Sequence, residues 1–552
     1  MKPDGCLYET LRLLASMPFL DRLEMAAVSG WSRAAVYEAV RELEDEGLAA
    51  PVPHATDFTP LTARYHLTAE GVRRLAREGA VSLDDLLRFR PVSLQWRAVM
   101  LKRLDAVAMA YRLASAVSEV AHLTWFQWYR ALPLDAAIEL SDGRTVAVAR
   151  WGRTQDRTAF SKRMRRVLEG PFPGGVLMIV SDDVRLRHAR RLLSGAPVPV
   201  FLAVESDAAA AGPDDSIWSL LASGEAVDLR TAIQKIRPGS DLPEEPPLSR
   251  VSLPWDMPTG GPGDDLPDHA LPAILKSAEK RALDLLSDWP WITLKNLADL
   301  LNVSESRASQ VVSGLEDFRV VARLASGSRA RLVLTDRGLA VLAHRDRASL
   351  AIAKKRWSLE PSDLDAPLDW RNLSGSRSKQ LLRNVEHTGG VHAFIAALAE
   401  QSRALEWEIA QLDPPHRASR YFRHEGSLRS VQPDAFGVLR RGRAVCPFFL
   451  ESERRAVRPA TMESRIAPYL RYYSTRRPAD DHGQRPAVLV VFHDDLAATR
   501  FLRVAREETD RTGVTLPLWV SHRGLMERAG PLGPAWLTPD EYEPTHAAPA
   551  RP

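Results

Sequence analysis

The chain has 552 residues, 45% hydrophobic and 26% charged, and its 74 Lys and Arg against 70 Asp and Glu leave a formal charge of +4. That length exceeds what one hydrophobic core organises, so several domains are expected, and the composition excludes a disordered or collagen-like chain. A charge so near balance carries no argument for nucleic acid by itself; such an argument has to rest on where the charges fall.

Cys6 and Cys446 are the sole cysteines and stand at no metal-ligand spacing, which excludes a disulfide framework and a structural zinc site and fits a reducing, cytoplasmic compartment. Charges interrupt the apolar pattern of residues 1–14 and the longest apolar runs are strand-sized, so neither a signal peptide nor a membrane span is expected.

In chain order, helical spacing of apolar residues predicts helices over Tyr8 to Ala15 and Leu20 to Ala27, a break at Gly30, and a third helix capped by Ser32. Ala35, Val36, Ala39, Val40 and Leu43 form its apolar stripe, which leaves Arg33, Tyr37, Arg41 and Glu44 on the other face. Strands around Ala50 to Val52 and Arg64 to Leu67 then predict a hairpin, and Thr68 a further helix cap. This order resembles winged helix-turn-helix domains of the MarR and PadR type, which implies that the third helix enters a major groove.

Nine prolines, with Gly260, Gly261 and Gly263 among them, between residues 238 and 272 predict a linker with few contacts across it. The two sides of it repeat one plan. Ser32 to Asp45 aligns without a gap on Ser304 to Asp317, and Leu67-Thr68 on Leu334-Thr335, which makes the first copy's hairpin loop five residues longer. Gly175 to Asp183 parallels Ala487 to Asp495, and Val198 to Leu202 parallels Leu516 to Val520, strand, helix and strand in the same order. The competing reading is two unrelated domains that share β-propensity.

The expected fold is therefore α/β and multidomain, with two winged helix-turn-helix domains alternating with two mixed α/β domains. The boundaries are 1–80, 81–237, the linker 238–272, 273–345, 346–540 and a disordered tail 541–552. In the second winged helix Glu305, Ser306, Arg307 and Gln310 are expected outside, the acid Glu305 counting against DNA contact there, with Arg329 and Arg331 on the wing, as Arg64 is on the first. Winged helices also serve protein contacts, so a protein adaptor stands as an alternative.

In the last domain Gln432-Pro433-Asp434 opens a strand, Arg440 to Arg443 turns, and a second strand ends in Glu451-Ser452-Glu453. This resembles the PD-(D/E)XK nuclease hairpin, which implies Asp434 and Glu451 as candidate metal ligands, for magnesium if the domain is active, and a lysine where Glu453 stands. Arg465, on the following helix, could replace that lysine, but an arginine that stays charged is a poor proton donor. The bland reading is an edge cluster of Asp434, Glu451 and Glu453 paired with Arg454 and Arg455. In the first copy Asp135 faces Asp434, and Trp151-Gly152-Arg153 is read as replacing Glu-Ser-Glu.

With the upstream winged helix, His387 and the helix bearing Arg465 and Tyr469, residues 280–537 resemble the replication-relaxation family of bacterial plasmids and mobile elements. That resemblance implies a role in plasmid replication, DNA relaxation or its regulation through binding double-stranded DNA, with protein partners of a replication or mobile-element complex; no resident cofactor is expected. The chemistry is expected to be inactive, with a metal-dependent endonuclease using Asp434 and Glu451 as the rival. No phosphate-binding loop, HExxH helix or nucleophile elbow occurs.

Overall fold

The computed structural model describes residues 3–171, 173–238, 242–254, 266–326, 329–363, 369–453, 459–540 and 543–547. The chain divides into two units, Met1–Arg281 with Arg337–Lys354, and Ala282–Asp336 with Lys355–Pro552.

The first unit opens with helices Pro3–Ser16, Arg22–Ser29 and Arg33–Asp45, the hairpin β1 (Ala49–His54) and β2 (Thr62–Leu67), and helix Ala69–Glu78. Each boundary has a local cause. Asp21 and Glu24 cap the second helix reciprocally, and Gly30, at φ 72°, ends it with its N–H on the Ala26 carbonyl. Ser32 Oγ accepts from the Ala35 amide and Thr68 Oγ1 from the Gly71 amide, so both expected caps form.

After helix Leu104–Val120 comes a sheet whose spatial order equals chain order: β3 (Leu123–Trp128), β4 (Ala136–Leu140), β5 (Thr145–Trp151), β6 (Gly175–Val180), β7 (Val200–Val204), β8 (Trp218–Leu220) and β9 (Ala226–Val227). β3, β4 and β5 pair antiparallel, and β5, β6 and β7 pair parallel through helices Arg157–Glu169 and Asp183–Leu192. Because side chains alternate across a strand, β6 serves two cores. Leu177 and Ile179 join Tyr111 and Val117 in one, while Val176, Met178 and Val180 join Phe160 and Met164 in the other. This double burial is why β6 reads as an unbroken apolar run.

The expected linker differs from the structure where it is described. Residues 242–254 are a strap on the first unit: the Leu94 amide donates to the Ser252 carbonyl at 3.0 Å, Ser252 N–H to Gln95 Oε1 at 3.0 Å, and Arg88 to the Leu248 carbonyl at 3.0 Å. Prolines there replace a free spacer by an extended segment whose carbonyls and few amides are taken up by neighbours. Residues 239–241 and 255–265 lie outside the described residues.

The second unit carries helices Leu294–Leu301 and Glu305–Asp317, capped by Thr293 and Ser304, and the hairpin β10 (Val321–Ser326) and β11 (Arg329–Leu334). Helix Asp336–Arg345 follows, but from Arg337 onward it is grouped with the first unit, which divides the segment expected as one domain over 273–345. After helix Val385–Ala404 come β12 (Glu408–Asp413), the hairpin β13 (Arg420–His424) and β14 (Ser427–Val431), then β15 (Ala435–Arg441), β16 (Ala444–Glu453), β17 (Ala487–Phe492) and β18 (Leu518–His522). The sheet order is β12-β15-β16-β17-β18, antiparallel for the first two pairings and parallel for the last two. Helices Pro459–Tyr473 and Asp495–Thr512 make its crossovers.

Candidate functional site

The outer faces of the two third helices are polar. Arg33, Tyr37 and Arg41 are exposed, as are Ser306, Arg307 and Gln310, while Val36, Val40 and Leu43, or Ala308, Val312 and Leu315, face the core. Arg22 lies 5.2 Å from the centre of the Tyr37 ring, and Arg307 donates to Gln310 Oε1 at 3.0 Å.

Two expected contact residues are corrected. Arg64 is 1% exposed, donates twice to the Glu24 carboxylate and once to the Phe19 carbonyl, and so ties the hairpin to the helices. Arg331 is also buried and donates to the Trp291 carbonyl at 2.8 Å. Phe19 and Trp291 both hold positive φ, 73° and 69°, which turns each carbonyl toward the strand arginine. Both arginines stand in strand stretches buried on both faces, which the sequence reading missed because arginine is rarely buried unless paired. Arg329 opens β11, and its side chain lies outside the described residues.

In the second sheet the β15–β16 hairpin brings the expected acids to one end. The Asp434 amide donates to the Leu450 carbonyl at 2.9 Å, and the register then places Glu451, Ser452 and Glu453 at the end of β16. Asp434 uses both carboxylate oxygens: Oδ1 lies 3.0 Å from His387 Nε2, and Oδ2 accepts from the Ser452 amide at 2.8 Å. Tyr469 donates to Glu451 Oε1 at 2.6 Å and Arg465 reaches Glu453 at 3.0 Å, both from helix Pro459–Tyr473. Glu453 thus pairs with Arg465; Arg454 and Arg455 lie outside the described residues.

The electrostatics follow from crowding. Desolvation and then Asp434 push the Glu451 carboxyl well above its ordinary range, and the hydrogen bond from Tyr469 offsets this only in part. Glu453 is raised by burial, against the opposing pull of Arg465. His387 is raised by its bond to Asp434, so its imidazolium is favoured.

The same end of the first sheet is built differently. The Asp135 amide donates to the Val148 carbonyl at 2.9 Å, and Asp135 Oδ2 accepts from the Arg150 amide at 2.6 Å. Counted from those bonds, Ala149 and Trp151 stand where the second sheet has Glu451 and Glu453, two residues before the expected Trp151-Gly152-Arg153 alignment. Trp151 is fully buried and stacked on Phe160, ring centroids 3.8 Å apart. Arginines surround the remaining acid. Arg163 and Arg347 both pair with Asp135, and Arg150 pairs with Glu205 at 2.7 Å and with Asp346 at 2.8 Å. Burial alone would raise Asp135, but Arg163 and Arg347 hold it far below the usual carboxylate range. No local spacing announces Asp346 or Arg347, which lie over 190 residues away in sequence.

Among the described residues no group of three or more His, Cys, Asp or Glu is arranged to hold a metal ion. The donors that a nuclease-like hairpin would offer a divalent cation are turned to protein partners: both oxygens of Asp434, one of Glu451, and Glu453 through Arg465.

The chain is a mixed α/β protein with two helix-and-hairpin modules and two sheets of shared strand pattern. Residues 283–488 match the model of the replication-relaxation family, a span that includes His387, Asp434, Glu451, Glu453, Arg465 and Tyr469. Comparison with curated proteins and with solved structures found no match. No described helix is long and apolar enough to cross a membrane.

Proposed function

We propose that the chain binds double-stranded DNA through two winged-helix modules, as part of plasmid or mobile-element replication or relaxation, and that its sheets are duplicated nuclease-like scaffolds that do not cut. The observation that carries this reading is the exposed polar face on each third helix, Arg33, Tyr37 and Arg41 on one and Ser306, Arg307 and Gln310 on the other. An exposed arginine at the start of such a helix suits phosphate contact or the paired acceptors of guanine, and glutamine suits adenine. The replication-relaxation match supports DNA involvement, and the paired registers of β4–β5 and β15–β16 support duplication.

Absence of cleavage follows from the hairpin. A carboxylate stands at the position of the water-activating lysine, and a nucleophile that is not positioned gains nothing from nearby acids. Plasmid DNA should stay supercoiled with magnesium or manganese; nicking abolished by both Asp434→Ala and Glu451→Ala would make the endonuclease reading the better one.

The direct test is a salt series with the full chain on duplex DNA. Arg33→Ala with Arg41→Ala should weaken binding about tenfold and flatten the salt slope by roughly two ions if both meet phosphate. Unchanged affinity would remove the first module from the reading, and a wild-type chain that retains no DNA at moderate salt would favour the protein adaptor.

A further inference from the structure

The second unit contains a cavity of about 170 Å³ beside Asp434 that the DNA-binding reading leaves without a role. Trp289 and Trp357 line it together with His392, and Arg377, Asn384 and His387 are among its other lining residues. Trp289 and His392 are buried, whereas Arg377 and Asn384 are exposed, so the cavity runs from a polar rim to an enclosed end.

We propose that this cavity receives one nucleobase drawn out of a DNA strand, with the attached phosphate at Arg377. The inference rests on the DNA-binding reading. An apolar cavity of about 150 Å³ holds one benzene-sized ring, so the volume suits a single planar heterocycle. Indole walls suit it as well, since every base presents a π-face to an aromatic side chain.

The enclosed end selects polarity. His392 is 3% exposed and its Nδ1 has no hydrogen-bond partner among the described residues, which is a cost unless a ligand edge meets it. Burial and the Arg331 guanidinium lower the His392 imidazole to about 3, so it is neutral in ordinary buffers and offers a base edge a hydrogen bond without calling for an anion. Its ring also sits edge-on to Trp289, centroids 6.0 Å apart, which fixes its orientation. At the other end Arg377 donates to Gln380 Oε1 at 3.1 Å and keeps further N–H groups of its fork for phosphate. Asp434 and its partner His387 line the cavity too.

The test titrates the full chain with the four deoxynucleoside monophosphates, with deoxyribose 5-phosphate and inorganic phosphate as controls, read by tryptophan quenching and calorimetry. At least one monophosphate should bind saturably and at least tenfold tighter than deoxyribose phosphate. His392→Phe, which fills the enclosed end and removes the polar atom, should weaken it tenfold or more, and Arg33→Ala with Arg41→Ala should leave it unchanged. Should His392→Phe fail to fold, Trp357→Ala decides, with a loss of several-fold expected. No saturable binding, equal binding of deoxyribose phosphate, or indifference to the folded cavity variant overturns the inference. Monophosphate binding in a chain that fails to bind duplex would keep the cavity's ligand class and remove the duplex reading instead.

Discussion

The two sheets share a strand pattern and differ at one end of it. In both, an aspartate at the mouth of the antiparallel hairpin accepts the backbone amide two residues past its partner carbonyl, Asp135 from Arg150 and Asp434 from Ser452. Around Asp135 the neighbours are Arg163 and Arg347; around Asp434 they are His387, Glu451 and Glu453. One backbone geometry therefore supports opposite electrostatic outcomes. In the first unit cations neutralise a buried acid and the cluster is fully compensated. In the second, acids crowd and the carboxyls resist ionisation, the kind of perturbed titration that marks a site rather than a staple.

The largest expected difference between the units comes from removing each aspartate. Asp135→Ala leaves Arg163 and Arg347 buried beside each other, and should cost the first unit about 3–5 kcal/mol. Asp434→Ala removes the bonds to His387 and to the Ser452 amide but also relieves Glu451, and should cost about 1 kcal/mol. Chemical denaturation with hydrogen exchange to locate the change measures both. Equal losses would show that the two aspartates are held alike and would break the comparison.

A smaller effect is expected at the strand arginines. Arg64→Met keeps the apolar stem but leaves Glu24 without its partner, for a loss of about 2 kcal/mol, softened because burial already favours the protonated Glu24. Exchange should quicken in β1 and β2, with duplex affinity of the folded protein unchanged. A selective loss of affinity at intact stability would return Arg64 to the contact surface.

Much of this architecture is legible in the residues themselves. Ser32 and Thr68 cap where their spacing predicts, and the apolar runs at Gly175 and Ala487 become interior strands of each sheet. Asp434, Glu451 and Glu453 converge because a hairpin register is local information. What could not be read is long-range. Arg347 reaches Asp135 across 212 residues, the strap at residues 242–254 binds Arg88 and Gln95 through backbone groups, and Trp289, Trp357 and His392 meet at a cavity from three separate segments. Such meetings depend on packing, which periodicity does not encode.

The smallest effect is also the one whose sign differs most sharply between the units. Glu451, Glu453 and His387 are all raised in the folded state. A raised group adds stability that is complete below its unfolded value, about 4.3 for Glu and 6.5 for His, and that fades as pH climbs through the folded value. Asp135 is depressed, so its contribution is complete above about 3.9 and fades only as pH falls through its lower folded value. Alkali should therefore loosen the second site and strong acid the first. Glu451→Gln isolates the difference, because the amide oxygen still accepts from Tyr469 but carries no charge to be desolvated beside Asp434. The substitution should be near neutral at about pH 3, where the carboxyl is protonated folded or unfolded, and should stabilise the second unit by on the order of 1 kcal/mol at about pH 8.5. Melting curves at both pH values decide it. A loss of stability at the higher pH would mean that the ionised Glu451 is compensated in the folded state, and the contrast between a resolved and a crowded carboxylate site would fall with it.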